Sequence, residues 1–256
     1  MQNLIEVNIY SDDIDTMNAI IDGLARSHCE NIRDFSISYE NPNNVYVVKN
    51  LPFLLSKQKY ISSLSLYRCI NKEVTETLPA EYLETLNLNF CDWNNDAKDQ
   101  ALFSLNRFKN LKILECGYES ISKNDYQKIC SAIYVRNIDI EFFGFKSLNE
   151  KLTNCFVNLK NLETLSITYR YSDYYSCADY LIEDILLCES LKNLTLSRFY
   201  FTNKAKLNNI KIVSNLISLS FSDSEFLKYS QIVSFINIAP NLQELYISFC
   251  AGLTKN

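Results

Sequence analysis

Hydrophobic and polar positions alternate in ten short stretches along this chain. The stretch around Leu165 shows the pattern, because Leu162, Leu165 and Ile167 are apolar and every residue between them is polar. Such alternation predicts a strand with one buried face and one exposed face. The ten stretches begin at Leu4, Ile32, Ile61, Leu83, Leu111, Val135, Leu162, Leu191, Leu216 and Leu242.

The alternation is regular enough to define an internal repeat. Counted from each starting residue, the first, fourth and sixth positions are apolar in every unit. The third, fifth and seventh positions are polar or glycine, with the exceptions of Tyr10, Tyr67, Ile113 and Tyr246. An asparagine precedes the first position in six units, as Asn3, Asn31, Asn110, Asn161, Asn215 and Asn241. A random chain with 47% hydrophobic residues would place far more apolar residues at the intervening positions.

Between the strands, apolar residues no longer recur at every second residue but about every 3.6 residues, which predicts helices. The predicted helical faces are Ile14, Met17, Ile21 and Leu24; Ala101, Leu102, Leu105 and Phe108; Leu148, Leu152, Cys155, Phe156 and Leu159; Leu181, Ile182, Ile185 and Leu186; and Ile232, Val233 and Ile236. Candidate N-cap residues are Asp13, Ser122, Ser147 and Asn203. Parallel strands joined by crossover helices must stack on their neighbours to bury their apolar faces. The sequence therefore predicts an α/β solenoid of about ten parallel strands on a concave face, with helices or short turns on the convex face.

Charge and composition limit the classes of function that this chain can have. A net charge of -5 and a pI of about 5.1 disfavour nucleic-acid binding, and no apolar run is long enough to span a membrane. Nine cysteines without a C-x-x-C pair indicate reduced thiols, as expected in the cytoplasm or nucleus, and Cys116 falls on a core position. With one histidine, His28, and 4 glycines, the chain offers neither a catalytic triad, a metal site nor a phosphate-binding loop. We expect no cofactor and no enzymatic activity.

Two units carry a resemblance to a known family. Residues Leu83 to Cys91 follow the pattern L-x-x-L-x-L-x-x-N/C of leucine-rich repeats. The unit from Leu242 to Cys250, followed by Ala251-Gly252-Leu253-Thr254, resembles the cysteine-containing repeats of F-box leucine-rich repeat proteins. This resemblance implies the substrate-recognition domain of a cullin-type ubiquitin ligase, with the F-box that contacts the adaptor absent from this chain. The alternative is a stand-alone scaffold, or an enzyme inhibitor or regulator, without a ubiquitin link.

The two ends of the repeat lack the polar capping units that solenoids normally carry. We expect residues 1–256 to form a single repeat domain that is a fragment of a longer chain or has its ends covered by partners. The pattern also requires Leu86, Leu165 and Leu245 to be buried.

Candidate partner-binding residues lie on the predicted concave face. Glu115, Asp139 and Glu141 come from neighbouring units and could hold a basic segment of a protein client, or could simply form a solvated surface. The eighth position is rich in aromatic and arginine residues, of which Tyr118, Phe142, Tyr169 and Arg198 are the selected candidates. These side chains would form an adhesive ridge, or would stack on each other and shield the loops. A third, neutral surface consists of Thr164, Ser166, Thr168, Asn193, Thr195, Ser197, Ser218, Ser220 and Ser222.

Overall fold

The computed structural model describes residues 4–40, 48–68, 77–78, 80–89, 103–118, 129–142, 156–169, 176–177, 179–200, 213, 215–224 and 227–250. The chain divides into two compact units, Met1–Tyr118 and Glu119–Asn256. Each unit contains five of the predicted repeat strands, and within each unit every strand runs parallel to its neighbour. All ten predicted strands are therefore confirmed.

The first unit is built from five strands with helices between them. Its elements are β1 (Glu6–Ser11), α1 (Ile14–Arg26), β2 (Asp34–Tyr39), α2 (Leu51–Lys57), β3 (Ser63–Tyr67), β4 (Thr85–Asn89), a 3-10 helix (Phe103–Arg107) and β5 (Ile113–Tyr118). The strands follow one another in the sheet in chain order. A parallel connection of this kind needs a crossover, which α1 and α2 supply between the first three strands.

The predicted start of α1 is confirmed. The Asp13 carboxylate accepts hydrogen bonds from the backbone N–H groups of Asp15 and Thr16. A hydrogen bond from the Thr16 hydroxyl, followed by these backbone donors, holds the pKa of Asp13 below its ordinary value. The helix then buries Met17 and Ile21, two of the residues that the apolar spacing had selected.

The second unit repeats this arrangement and adds a short pair of strands. Its elements are β6 (Asn137–Phe142), a 3-10 helix (Phe156–Asn158), β7 (Thr164–Tyr169), β8 (Ser176–Cys177), α3 (Asp179–Ile185), β9 (Asn193–Ser197), β10 (Phe199–Tyr200), β11 (Ser218–Ser222), α4 (Tyr229–Ile238) and β12 (Glu244–Ser248). The repeat strands lie in the order β6-β7-β9-β11-β12, and β8 pairs separately with β10.

The described pairings between repeat strands align identical repeat positions. Leu165 lies between Ile138 and Leu194, and Ile167 lies between Ile140 and Leu196. This register collects the fourth and sixth positions into continuous apolar rows, so Leu86 and Leu165 are both fully buried. On the same side, the rings of Phe221 and Phe235 lie 5.2 Å apart and join β11 to α4.

The helices were predicted less well than the strands. A 3-10 helix replaces the helix expected around Leu105, and α2 was not predicted. The predicted face of α4 was wrong for Ile236, which is 44% exposed, because the helix buries Phe235 and Ile238 in its place. The cap candidates Ser122, Ser147 and Asn203 lie outside the described residues, as does most of the helix predicted from Leu148 to Leu159.

The asparagine that precedes the strand bridges neighbouring repeats. The side-chain amide of Asn161 donates to the carbonyl oxygen of Ile133 at 2.9 Å, and Asn110 donates to the carbonyl of Glu81 at 2.6 Å. Asn215 makes the equivalent bond to the carbonyl of Glu189. The asparagine recurs because its amide satisfies a carbonyl at the end of the preceding unit's return segment.

Most of the described cysteine thiols are buried. Cys29, Cys116, Cys130 and Cys188 are buried, which confirms Cys116 as a core residue, and Cys250 is half-buried. Among the residues that the structure describes, no helix has the length and hydropathy to cross a membrane.

Candidate protein-binding face

Each sheet has one face that buries apolar side chains and one that carries the polar positions. We call the second one the open face. In the second unit the open face is defined by the polar residues of β6, β7, β9, β11 and β12. Most of these side chains are half-buried, because each is flanked by the equivalent side chain of the neighbouring strand.

The rows of the open face are in register across all five strands of the second unit. One row consists of Asp139, Ser166, Thr195, Ser220 and Tyr246. Neighbouring side chains bond to each other along the rows, as Asn193 does to the Thr164 hydroxyl at 3.1 Å. The Ser222 hydroxyl likewise donates to the Ser197 hydroxyl at 2.9 Å.

The predicted acidic residues fall on two strands that belong to different units. Asp139 is exposed and Glu141 is half-buried, and both lie on the open face of β6 in the second unit. Glu115 is half-buried on β5 in the first unit, where its carboxylate accepts a hydrogen bond from the side-chain amide of Asn87. The pair on β6 is therefore placed together by the structure, and its combination with Glu115 stays a prediction.

The eighth position occurs in two backbone conformations. In β2 and β7 it continues the strand, and Tyr39 and Tyr169 are buried with exposures of 2% and 4%. Burial raises the pKa of Tyr169 above its ordinary value. After the five-residue strands β3, β9, β11 and β12 the eighth residue has a left-handed backbone conformation. The φ angles are 59° at Arg68, 62° at Arg198, 48° at Asp223 and 51° at Phe249.

The two backbone conformations place the predicted binding residues Tyr169 and Arg198 in different surroundings. Tyr169 packs inside the protein and offers almost no surface to a partner. Arg198 is half-buried, and its backbone N–H donates to the carbonyl of Ser222 at 2.8 Å. The side chains of Tyr118 and Phe142 lie outside the described part of the chain. Where the eighth position is described, its side chains range from buried to fully exposed and do not form a uniform ridge.

The last described strand differs from the others. Leu245 is 37% exposed, so the prediction that it would be buried was wrong, although its alignment with the fully buried Leu219 is as predicted. Ile247 is also only half-buried, and on the open face Tyr246 is 57% exposed. The fourth and sixth positions held no signal for this difference, because Leu245 and Ile247 are apolar there as in the buried strands. The expected lack of a capping unit at this end of the repeat was the signal.

The described residues form no metal centre. Within them, no group of three or more His, Cys, Asp or Glu side chains is placed to hold a metal ion. What the second unit does offer is an array of hydroxyl, amide and carboxylate groups suited to hydrogen bonding with another molecule.

Comparison with known proteins supports the fold. No protein-family model matches the chain, and no curated protein matches it. Among solved structures, the chain is similar to an internalin from Listeria monocytogenes, with a TM-score of 0.55 and 15% sequence identity. The similarity covers 93% of this chain and 66% of the internalin chain, so the protein spans just under two thirds of that structure. Internalins are leucine-rich repeat proteins, and the chain therefore has the α/β leucine-rich repeat fold that its sequence predicted.

Proposed function

We propose that this protein is a protein-recognition module that binds its client on the open face of the second unit. Asp139 and Glu141 contact a basic segment of the client, and the hydroxyl groups of β7, β9 and β11 bond to polar groups beside it. Arg198 and Phe142 of the same unit are further candidate contacts in this proposal, whereas Tyr169 is buried and would act only through packing. Glu115 and Tyr118 lie in the first unit and stay predictions.

The observation that carries this proposal is the unbroken register of polar residues on the open face. Five parallel strands spaced about 4.8 Å apart form a face roughly 20 Å wide, which suits a protein surface better than a small metabolite. Because the side chains already bond to each other, as Ser222 does to Ser197, little side-chain entropy is lost when a partner binds.

Charge favours a basic client. The chain carries a net charge of -5, and Asp139 and Glu141 occupy alternate positions on the same strand, so both carboxylates lie on the same face. Opposite charges across an interface accelerate association and determine the orientation of the partner. The neutral strands beside β6 then contribute hydrogen bonds without repelling the rest of the client.

A finer proposal follows from the cysteine-containing repeats. The protein would be the substrate-recognition domain of an F-box-type ubiquitin ligase in the cytoplasm or nucleus, joined to a cullin-ligase adaptor through an F-box outside this sequence. Supporting this are the repeat at Leu83, whose Leu86 and Leu88 are buried, and the repeat at Leu242. Co-purification with a cullin-ligase adaptor and loss of client ubiquitylation on deletion are expected. Unchanged ubiquitylation would favour the scaffold or inhibitor instead.

The binding proposal is tested by charge reversal. A client identified by affinity capture and mass spectrometry is titrated against the wild-type protein and against the double variant Asp139→Lys with Glu141→Lys. We expect the affinity to fall by at least about 100-fold, because two favourable contacts become repulsive. The thermal midpoint should stay within about 2 °C, since substitutions of surface residues rarely change stability by more than about 0.5 kcal/mol.

The matched control carries the same charge change elsewhere. Asp12 and Glu189 are exposed and lie off the open face, so Asp12→Lys with Glu189→Lys should retain client binding within about threefold. Equal loss in both double variants would mean that net charge alone drives capture. Full binding by the Asp139 and Glu141 variant would place the client on another surface.

A further inference from the structure

Two exposed tyrosines lie side by side where neighbouring strands of the first unit begin. Tyr60 directly precedes the repeat that contains β3, and Tyr82 directly precedes the repeat that contains β4. Tyr60 is 47% exposed and Tyr82 is 43% exposed. Their ring centroids lie 5.5 Å apart, with an angle of 56° between the ring planes. Each ring therefore contacts both the other ring and the solvent.

The position that these tyrosines occupy has a different role in other repeats. It is an asparagine in six units, and the side-chain amides of Asn110, Asn161 and Asn215 donate to a carbonyl of the preceding repeat. Tyrosine has no side-chain amide, so two consecutive repeats replace this amide bridge with a pair of exposed rings. Burial of the apolar core does not require such a pair.

The backbone holds the two rings beside each other. Ile61 and Leu83, the residues that follow the two tyrosines, are fully buried. The backbone N–H groups of Glu84 and Thr85 both donate to the carbonyl of Ser62, at 2.8 and 3.0 Å. The starts of β3 and β4 are thereby fixed next to each other, and the two phenol groups are already positioned for a reaction between them.

We propose that Tyr60 and Tyr82 form a site of oxidative cross-linking, at which a one-electron oxidant of the peroxidase class joins them as dityrosine. The peroxidase takes one electron and one proton from each phenol, and hydrogen peroxide accepts them and becomes two molecules of water. The two tyrosyl radicals combine through a new bond between the ring carbons adjacent to the hydroxyl-bearing carbons. The hydrogen on each coupled carbon then moves to the oxygen of its ring as aromaticity returns, so the pair loses two hydrogen atoms in total.

Exposure and proximity together distinguish this pair of side chains. Oxidation requires access for the oxidant, and other oxidisable groups of the described residues are buried, namely Met17, Cys29, Cys116, Cys130 and Cys188. Tyr134 has the same repeat position and is 39% exposed, but the repeats before and after it carry Asn110 and Asn161 there. Tyr134 therefore shares the exposure of the pair without a tyrosine at the equivalent position of a neighbouring repeat.

The cross-link joins two repeats covalently at the shortest spacing in the chain. Tyr60 and Tyr82 are 22 residues apart in the sequence, and a bond between their rings closes a loop of that length. The loop restricts the unfolded chain in the way that a disulfide does. A carbon–carbon bond is not broken by thiol exchange, so this connection persists where thiols are kept reduced.

Oxidation of the folded protein with a peroxidase and hydrogen peroxide tests the site. A protein concentration of about 1 μM favours a bond between groups held side by side in one molecule over a bond between molecules. We expect the blue fluorescence of dityrosine in the monomer band of a denaturing gel. Tryptic digestion and mass spectrometry should give residues 60–68 joined to residues 73–98, with fragment ions that place the bond at Tyr60 and not at Tyr67.

Three controls make the test specific. Tyr60→Phe and Tyr82→Phe each keep the ring and remove the phenol, so each should abolish this linked pair of peptides while leaving the circular dichroism spectrum unchanged. Tyr134→Phe changes an equivalent, similarly exposed tyrosine and should leave the yield of the linked pair unchanged. Oxidation of the wild-type protein in concentrated urea should remove the preference for this pair, because the strands no longer hold the rings together.

The proposal is overturned if the oxidised folded protein lacks the linked peptides, or if they form in equal yield after unfolding. It is also overturned if Tyr82 couples to another tyrosine in Tyr60→Phe with the yield of the wild-type link, or if Tyr134→Phe abolishes that link. None of these outcomes depends on client binding, because Asp139 and Glu141 are unchanged throughout.

Discussion

Strands β7 and β12 have the same pattern of residues and different surroundings. In β7, Leu165 and Ile167 are fully buried, with β6 on one side and β9 on the other. In β12, Leu245 is 37% exposed and Ile247 is half-buried, with β11 as the described neighbour. Burial in this fold is therefore a property of the neighbouring repeats as much as of the strand itself, as expected for a structure stabilised between nearest neighbours.

The comparison implies that identical substitutions in the two strands have unequal costs. Leu165→Ala should lower the free energy of unfolding by about 2–5 kcal/mol, since it leaves a cavity between two occupied strands. Leu245→Ala should cost about 1 kcal/mol or less, because part of that side chain already contacts water. Urea unfolding followed by circular dichroism, at a protein concentration where the chain is monomeric, measures both. Equal losses would show that β12 is covered in solution.

A second substitution measures how much the hydrogen bond between neighbouring repeats contributes to stability, apart from burial of the strand. Asn161→Ala removes the hydrogen bond to the carbonyl of Ile133 and should cost about 1 kcal/mol. Asn161→Asp keeps the shape, lacks the N–H donor and should cost at least as much.

The control for this prediction is Asn237→Ala on the exposed side of α4, which should change the stability by less than about 0.5 kcal/mol. If Asn161→Asp retained full stability, the side-chain amide would not be bridging the repeats, and burial of the strand alone would stabilise β7.

The smallest effect is expected at a surface ion pair on the other side of β7, between the repeats of β7 and β9. Lys192 lies 3.2 Å from Glu163, and the two side chains are 45% and 40% exposed. Because water screens such a pair, Lys192→Met should cost only about 0.2–1 kcal/mol. The difference from wild type should shrink further in about 1 M salt, measured as the change in urea midpoint. A larger loss that persists in salt would instead point to packing of the lysine stem.

The main-chain bonds at this junction remain after that substitution. The carbonyl of Glu163 accepts hydrogen bonds from the N–H groups of Lys192 and Asn193 at 2.8 and 2.9 Å. The same arrangement recurs at Ile217, whose carbonyl accepts from Gln243 and Glu244. Backbone pairing thus connects consecutive repeats regardless of their side chains.

The alternating pattern predicted the strands well because it reports on a backbone geometry that every unit shares. It predicted α1 for the same reason, since Met17, Ile21 and Leu24 recur at helical spacing and Asp13 caps the helix. In α4 the apolar residues are too numerous to define one face, so the exposure of Ile236 could not be anticipated. The run of adjacent apolar residues in α2 hides its period in the same way.

The candidate site was only partly predictable. The alternation placed Asp139 and Glu141 on the open face, because that follows directly from the strand period. It could not distinguish Tyr169, which continues its strand, from Arg198, which turns left-handed, since neither is a glycine that would mark the turn. The exposure of Leu245 depends on what lies beside β12, which a local pattern does not contain.

The constant register of the strands has a consequence for how this protein can vary. Successive repeats start between 22 and 29 residues apart, yet equivalent positions still align where neighbouring strands pair within each unit. Insertions and deletions in the return segments therefore change the helical side of one repeat and leave the polar rows aligned. Related chains can differ in length and still present the same aligned rows of polar side chains. The binding surface and the chain length can therefore evolve independently.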